Sequence, residues 1–141
     1  MQNSLSELIS TGVVPEETML LSVLSGRTTP QRFDLLVMPT PSNPPGQCRR
    51  YGQLFDWVQS RRLFLPTTSA LLSVALRHQL EDLKLGHRIC GIETEHCDSE
   101  NVMVRIYDFD DHPCYIMTYP RHEQIQLQTW WIVGVPDQSY E

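Results

Sequence analysis

Residue types able to do chemistry crowd into one stretch of this 141-residue chain. Three of its four cysteines and three of its five histidines lie there: His87, Cys90, His96, Cys97, His112 and Cys114. Zinc takes four nitrogen or thiolate ligands in a tetrahedron, commonly as pairs two to four residues apart. His87 and Cys90 have that spacing, and His112 with Cys114 could supply the second pair. No Cys-x-x-Cys pair or knuckle glycine accompanies them, and on a strand His87 and Cys90 point to opposite faces. The expectation is no metal, with these four as weak candidates among buried strand cysteines and exposed loop histidines.

Other chemistries find less support. A cysteine nucleophile needs a neighbouring base or cation. Cys114, beside Asp110-Asp111-His112, is the best-placed thiol, since a protonated His112 lowers a thiol pKa while the aspartates raise it. The acidic turn Asp108-Phe109-Asp110-Asp111 lacks the glycine and distal glutamate of a calcium loop. No phosphate-cradling glycine pattern occurs. Arg49-Arg50 and Arg61-Arg62 bracket a helical segment and end up at its two ends, not along one stripe. The segments 50–60 and 68–85 have a helix-turn-helix outline, but the second is apolar where a recognition helix is polar. No cofactor is implied, and the chain reads as more an interaction protein than an enzyme.

Aromatic residues carry the stronger functional signal. Tyr115, Tyr119, Trp130 and Trp131 fall in the strand-rich C-terminal half, with Trp57 on the 50–60 helix. Adjacent tryptophans on a strand face opposite sides, so Trp130, with Ile132 on its own face, leaves an apolar patch wherever that face is uncovered. Exposed aromatic patches mark partner sites. The candidate binding residues are therefore Trp57, Tyr115, Tyr119, Trp130 and Ile132.

The elements that must position these residues follow from punctuation and period. Pro15, Glu16 and Glu17 suit the start of a helix carrying Met19, Leu20, Val23 and Leu24. The segment around Phe33–Val37 fits either a short helix or a strand. Pro39 to Gln47 holds four prolines and a glycine and reads as a surface loop, with Cys48 exposed at its end. Tyr51, Leu54, Phe55 and Val58 make an amphipathic helix. Leu71, Leu72, Ala75, Leu76, Leu80 and Leu83 predict one helix over 68–85. Beyond Gly86 the period becomes two, over 88–95, 101–107, 114–119 and 124–135.

The expected fold is therefore α+β, with N-terminal helices packed on a C-terminal antiparallel sheet of three to four strands. One domain, 1–141, comprises a helical segment 1–38, the Pro-rich loop 39–47, helices over 48–86 and a meander over 87–136. Seventeen acids against eleven bases give a net charge of −6. That balance disfavours nucleic acid. No apolar stretch reaches a membrane span, and residues 1–10 lack a signal peptide's basic start. The reading is a cytoplasmic adaptor, chaperone-like or regulatory module. Its expected partner is another protein, with a homodimer through the sheet or the 50–60 helix as a further expectation. The alternative is a small-molecule binder or small enzyme with a pocket between helices and sheet.

Overall fold

The computed structural model describes residues 5–25, 31–42, 48–85, 88–108 and 114–135. In chain order these form α1 (Leu5–Ser10), β1 (Met19–Ser25), β2 (Gln31–Pro39), α2 (Tyr51–Ser60), α3 (Thr68–Leu71), α4 (Val74–Asp82), β3 (Ile89–Ile92), β4 (Asn101–Tyr107), β5 (Tyr115–Pro120) and β6 (Trp130–Gly134), with a 3₁₀ turn at Thr94–His96. The six strands make one sheet in the order β1-β2-β6-β3-β4-β5.

This corrects the expected architecture in two respects. The sheet is mixed, because β6 runs parallel to β3 and antiparallel to β2. Its first two strands come from 19–39, where N-terminal helices were expected. Met19–Ser25 pairs with Gln31–Pro39 along its length, from Met19↔Val37 to Ser25↔Gln31. Short apolar runs fit helical and strand spacing equally well, so partners decide. Here Leu21 and Val23 face the core while Leu20 and Leu24 do not. Residues 35–38 are buried without a break, the pattern of a strand covered on both faces.

Coverage comes from opposite sides. Tyr51, Leu54 and Val58 of α2, with Leu8 of α1, pack on Leu36, Met38, Cys90, Val102, Val104, Ile106, Trp131 and Val133. Leu71, Leu76 and Leu80 of α3 and α4 pack on Leu35, Val37, Ile89, Tyr107 and Ile132. Trp130 and Trp131 thus do point to opposite faces, and each face has its own helical cover.

The helix expected over 68–85 is broken in two. Thr67 Oγ1 accepts from Ala70 N to start α3, and Ser73 Oγ accepts from Leu76 N to start α4. A serine that caps a new helix in extended backbone interrupts the old one. The interruption shifts the apolar phase, so Leu71 and Leu76 face the sheet while Leu72 is 55% exposed. The expected strand over 124–135 shortens to Trp130–Gly134. It does not continue the meander past β5 but returns to the middle of the sheet.

Candidate functional site

The strand carrying Tyr115 and Tyr119 lies at the end of the sheet, and among the described residues nothing pairs with its outer side. Its register on β4 runs from Ile106↔Tyr115 to Asn101↔Pro120. Consecutive residues Ile116 and Met117 point to opposite faces and are 46% and 42% exposed. Tyr115–Tyr119 contains no charge, one of the usual protections of a sheet edge, and the other, a proline, appears only at the strand's end, Pro120. The other edge, β1, is also uncharged and exposes Leu20 and Leu24. There, however, Gln79 of α4 donates from Nε2 to the Ser22 carbonyl at 2.8 Å, so a helix side chain already occupies part of that strand's backbone.

Behind β5, beneath α2, lies a second group of residues. The Tyr51 and Tyr119 rings stack at 4.1 Å with 4° between planes, and Trp131 meets Tyr51 edge-on at 6.0 Å. Arg88, just before β3, donates from Nη2 to the Tyr119 hydroxyl at 3.1 Å. The Tyr51 hydroxyl and Arg88 Nε are buried without hydrogen-bond partners. Burial raises the Tyr51 pKa strongly, and the neighbouring Tyr119 phenol adds to the rise. Cys90 lies against the same guanidinium, yet burial outweighs that cation and its thiol is pushed up to about 12.

On the opposite face, Arg105 of β4 donates from Nε to Glu93 Oε1 at 2.6 Å. Thr68 Oγ1 donates to Glu93 Oε2 at 2.7 Å, and Arg105 Nη1 reaches Cys114 Sγ at 3.5 Å. The Tyr107 hydroxyl donates to the Leu71 carbonyl in the same region. These contacts tie α3 to β3, β4 and the start of β5. The guanidinium beside Cys114 is already matched by a carboxylate, so the group reads as a structural clamp.

A cleft of about 380 Å³ opens between Thr40, Cys48 and Arg49 on one side and Gln124 to Gln128 on the other. Cys48, expected to be exposed, is 7% exposed. Burial pushes its thiol up to about 11 despite the nearby Arg61, so at neutral pH it is a protonated apolar lining residue, not a nucleophile.

The five candidate binding residues are not brought together. Tyr115 and Tyr119 share β5 and are half-buried. Trp57 sits on α2, packed against the core on that side, with the Arg61 guanidinium 4.5 Å from its ring centroid. Trp130 is half-buried on the opposite face, and Ile132 beside it has no exposed surface. Of the metal candidates, Cys90 is fully buried and Cys114 half-buried. His87 and His112 lie outside the described residues, as do 109–111 of the acidic turn. No group of three or more potential metal ligands occurs among the described residues. No helix among the described residues is long and apolar enough to cross a membrane.

Arg88, Tyr51, Glu93 and Arg105 are the residues that sequence reasoning missed. Arg105 left one usable signal, a charge inside the alternating strand β4, and Glu93 another, an acid directly after the apolar run of β3. Arg88 and Tyr51 left none, because 37 residues separate them and only the packing of α2 on the sheet brings them close. No family model, curated protein or solved structure matches this chain.

Proposed function

We propose that this protein is a protein-binding module that accepts an extended segment of a partner protein as an added strand along β5. The observation that carries the reading is the uncharged edge Tyr115–Tyr119, with Ile116 and Met117 exposed on its two faces. Strand addition draws affinity from main-chain hydrogen bonds and specificity from alternate side chains. On β5, alternation offers Tyr115, Met117 and Tyr119 on one face and Ile116 and Thr118 on the other. A different protein suits this edge better than a second copy, because two chains of net charge −6 repel.

Panning a library of extended peptides on the protein tests the proposal. Selected peptides should slow amide exchange within 115–119, and the double variant Ile116→Lys, Met117→Lys should weaken them by at least about tenfold, or 1.4 kcal/mol. Sedimentation velocity of the free protein should give a monomer. Peptides that protect another segment, or bind the double variant equally well, would overturn the reading. So would a stable dimer whose protected amides are those of β5, since the edge would then belong to a second copy.

A further inference from the structure

We infer that Arg88, Tyr51 and Tyr119 form a binding site for a small oxyanion of the phosphate or carboxylate class. Arg88 is partly buried, its guanidinium is charged at any working pH, and among the described residues it has no carboxylate partner. Its bond to Tyr119 leaves that charge uncompensated, since a neutral phenol oxygen accepts a hydrogen but contributes no negative charge. A desolvated, unpaired cation is costly, and buried cations are normally matched.

The orphaned donors give the charge a direction. Arg88 Nε is buried with no acceptor at hydrogen-bond distance, although the Cys90 thiol lies against the guanidinium. Tyr51, 1% exposed, carries a buried hydroxyl that lies close to the Tyr119 phenol but makes no hydrogen bond of normal length. Tyr119 uses its oxygen to accept from Arg88, so its own O–H is free to donate elsewhere. The 4.1 Å parallel stack carries the two phenols side by side, and Trp131 fixes Tyr51 from its edge. The Nε and Nη2 edge of a guanidinium is the fork that grips two oxygens of one anion. Two oxygens on that fork and one on the phenols would satisfy both orphaned donors and neutralise Arg88 together. Arg88 and Tyr119 are each half-buried, so the group lies just beneath the surface, with Arg88 Nε itself covered. The inference uses no property of the β5 edge and stands apart from the strand-addition reading.

Thermal unfolding in inorganic phosphate, with sodium chloride at matched ionic strength as control and acetate as a second arm, tests it on the whole protein. Phosphate should raise the Tm above the chloride control in a saturable way. Tyr51→Phe deletes the orphaned hydroxyl alone and should fold with an unchanged or higher Tm without phosphate. Its phosphate affinity should fall about tenfold. Arg88→Lys keeps the charge but loses the fork, and should lose most of the response. An acetate response stronger than that to phosphate would assign a carboxylate ligand, and the reverse a phosphate. Shifts equal to chloride for both anions, or full anion affinity in Tyr51→Phe, would overturn the site. Because Tyr51→Phe removes only a buried hydroxyl and keeps the ring stacked on Tyr119, it keeps the test decisive even if Arg88→Lys fails to fold.

Discussion

Leu71 of α3 rests directly on Gly91 of β3: a methyl group at Gly91 would come within 2.7 Å of Leu71 Cδ2 and 3.1 Å of Cδ1. Both residues are buried, and the contact sets how closely the α3–α4 layer approaches the middle of the sheet. Overpacking at such a contact costs about 1–3 kcal/mol. Gly91→Ala should therefore lower the urea midpoint. With Leu71→Ala the added methyl has room, so the double variant should lose less stability than the two single losses summed. Strict additivity would mean that the two side chains do not compete for the same space.

The Glu93–Arg105 pair ties the residue just after β3 to β4, with side chains only 2% and 10% exposed. Removing one partner strands the other in the interior, at a cost of about 3–5 kcal/mol. Glu93→Ala should destabilise by that amount in equilibrium unfolding. Replacing both residues with apolar ones of similar size should cost much less. A single-variant loss below about 1 kcal/mol, the scale of exposed pairs, would show that water reaches this clamp.

Leu71 and Leu72 are neighbours with opposite fates, 0% and 55% exposed. Leu71→Ala should cost about 2–5 kcal/mol, as buried leucines do. Leu72→Glu should change stability by no more than about 0.5 kcal/mol, as exposed positions do. An unbroken helix over 68–85 would place both on the apolar stripe, so a large effect of Leu72→Glu would argue for that unbroken helix. Chemical denaturation of the two variants decides between them.

The two buried thiols predict a loss of stability in alkali. Cys48 and Cys90 ordinarily ionise near 9.0, and burial moves them up to about 11 and about 12. Below the unfolded value both states hold the proton, and these thiols give stability no pH dependence. Above it the unfolded chain releases protons that the folded chain keeps, so stability falls until the folded thiols also ionise. Urea midpoints should decline from about pH 9 upward, to about pH 11 for Cys48 and about pH 12 for Cys90, and Cys48→Ala should flatten the first part of that decline. Native thiols should also label slowly at neutral pH, with rates limited by opening of the core.

Local signals were enough to read part of this molecule from its sequence. The α2 helix was legible because Tyr51, Leu54 and Val58 repeat at helical spacing and all three are buried. The β4–β5 hairpin was legible because Val102, Val104 and Ile106 alternate and a polar turn follows. The opposed faces of Trp130 and Trp131 followed from strand geometry alone. Each of these depends on residues within about one element's length.

Long-range pairing decided the rest. Met19–Ser25 satisfies helical and strand periods alike, and it becomes a strand because β2 offers its backbone a partner and α4 covers Leu21 and Val23. β6 enters between β2 and β3 because its residues 131–134 are buried on both sides, a demand that only the centre of a doubly covered sheet can meet. The same packing hides Ile132 and sets Tyr51 on Tyr119. It also leaves Arg88 facing two phenols with no carboxylate among the described residues. Sequence periodicity reports which residues want burial. The partner against which each is buried is set by backbone hydrogen bonds and side-chain volumes contributed from far along the chain, and those exist only once the whole sheet has formed.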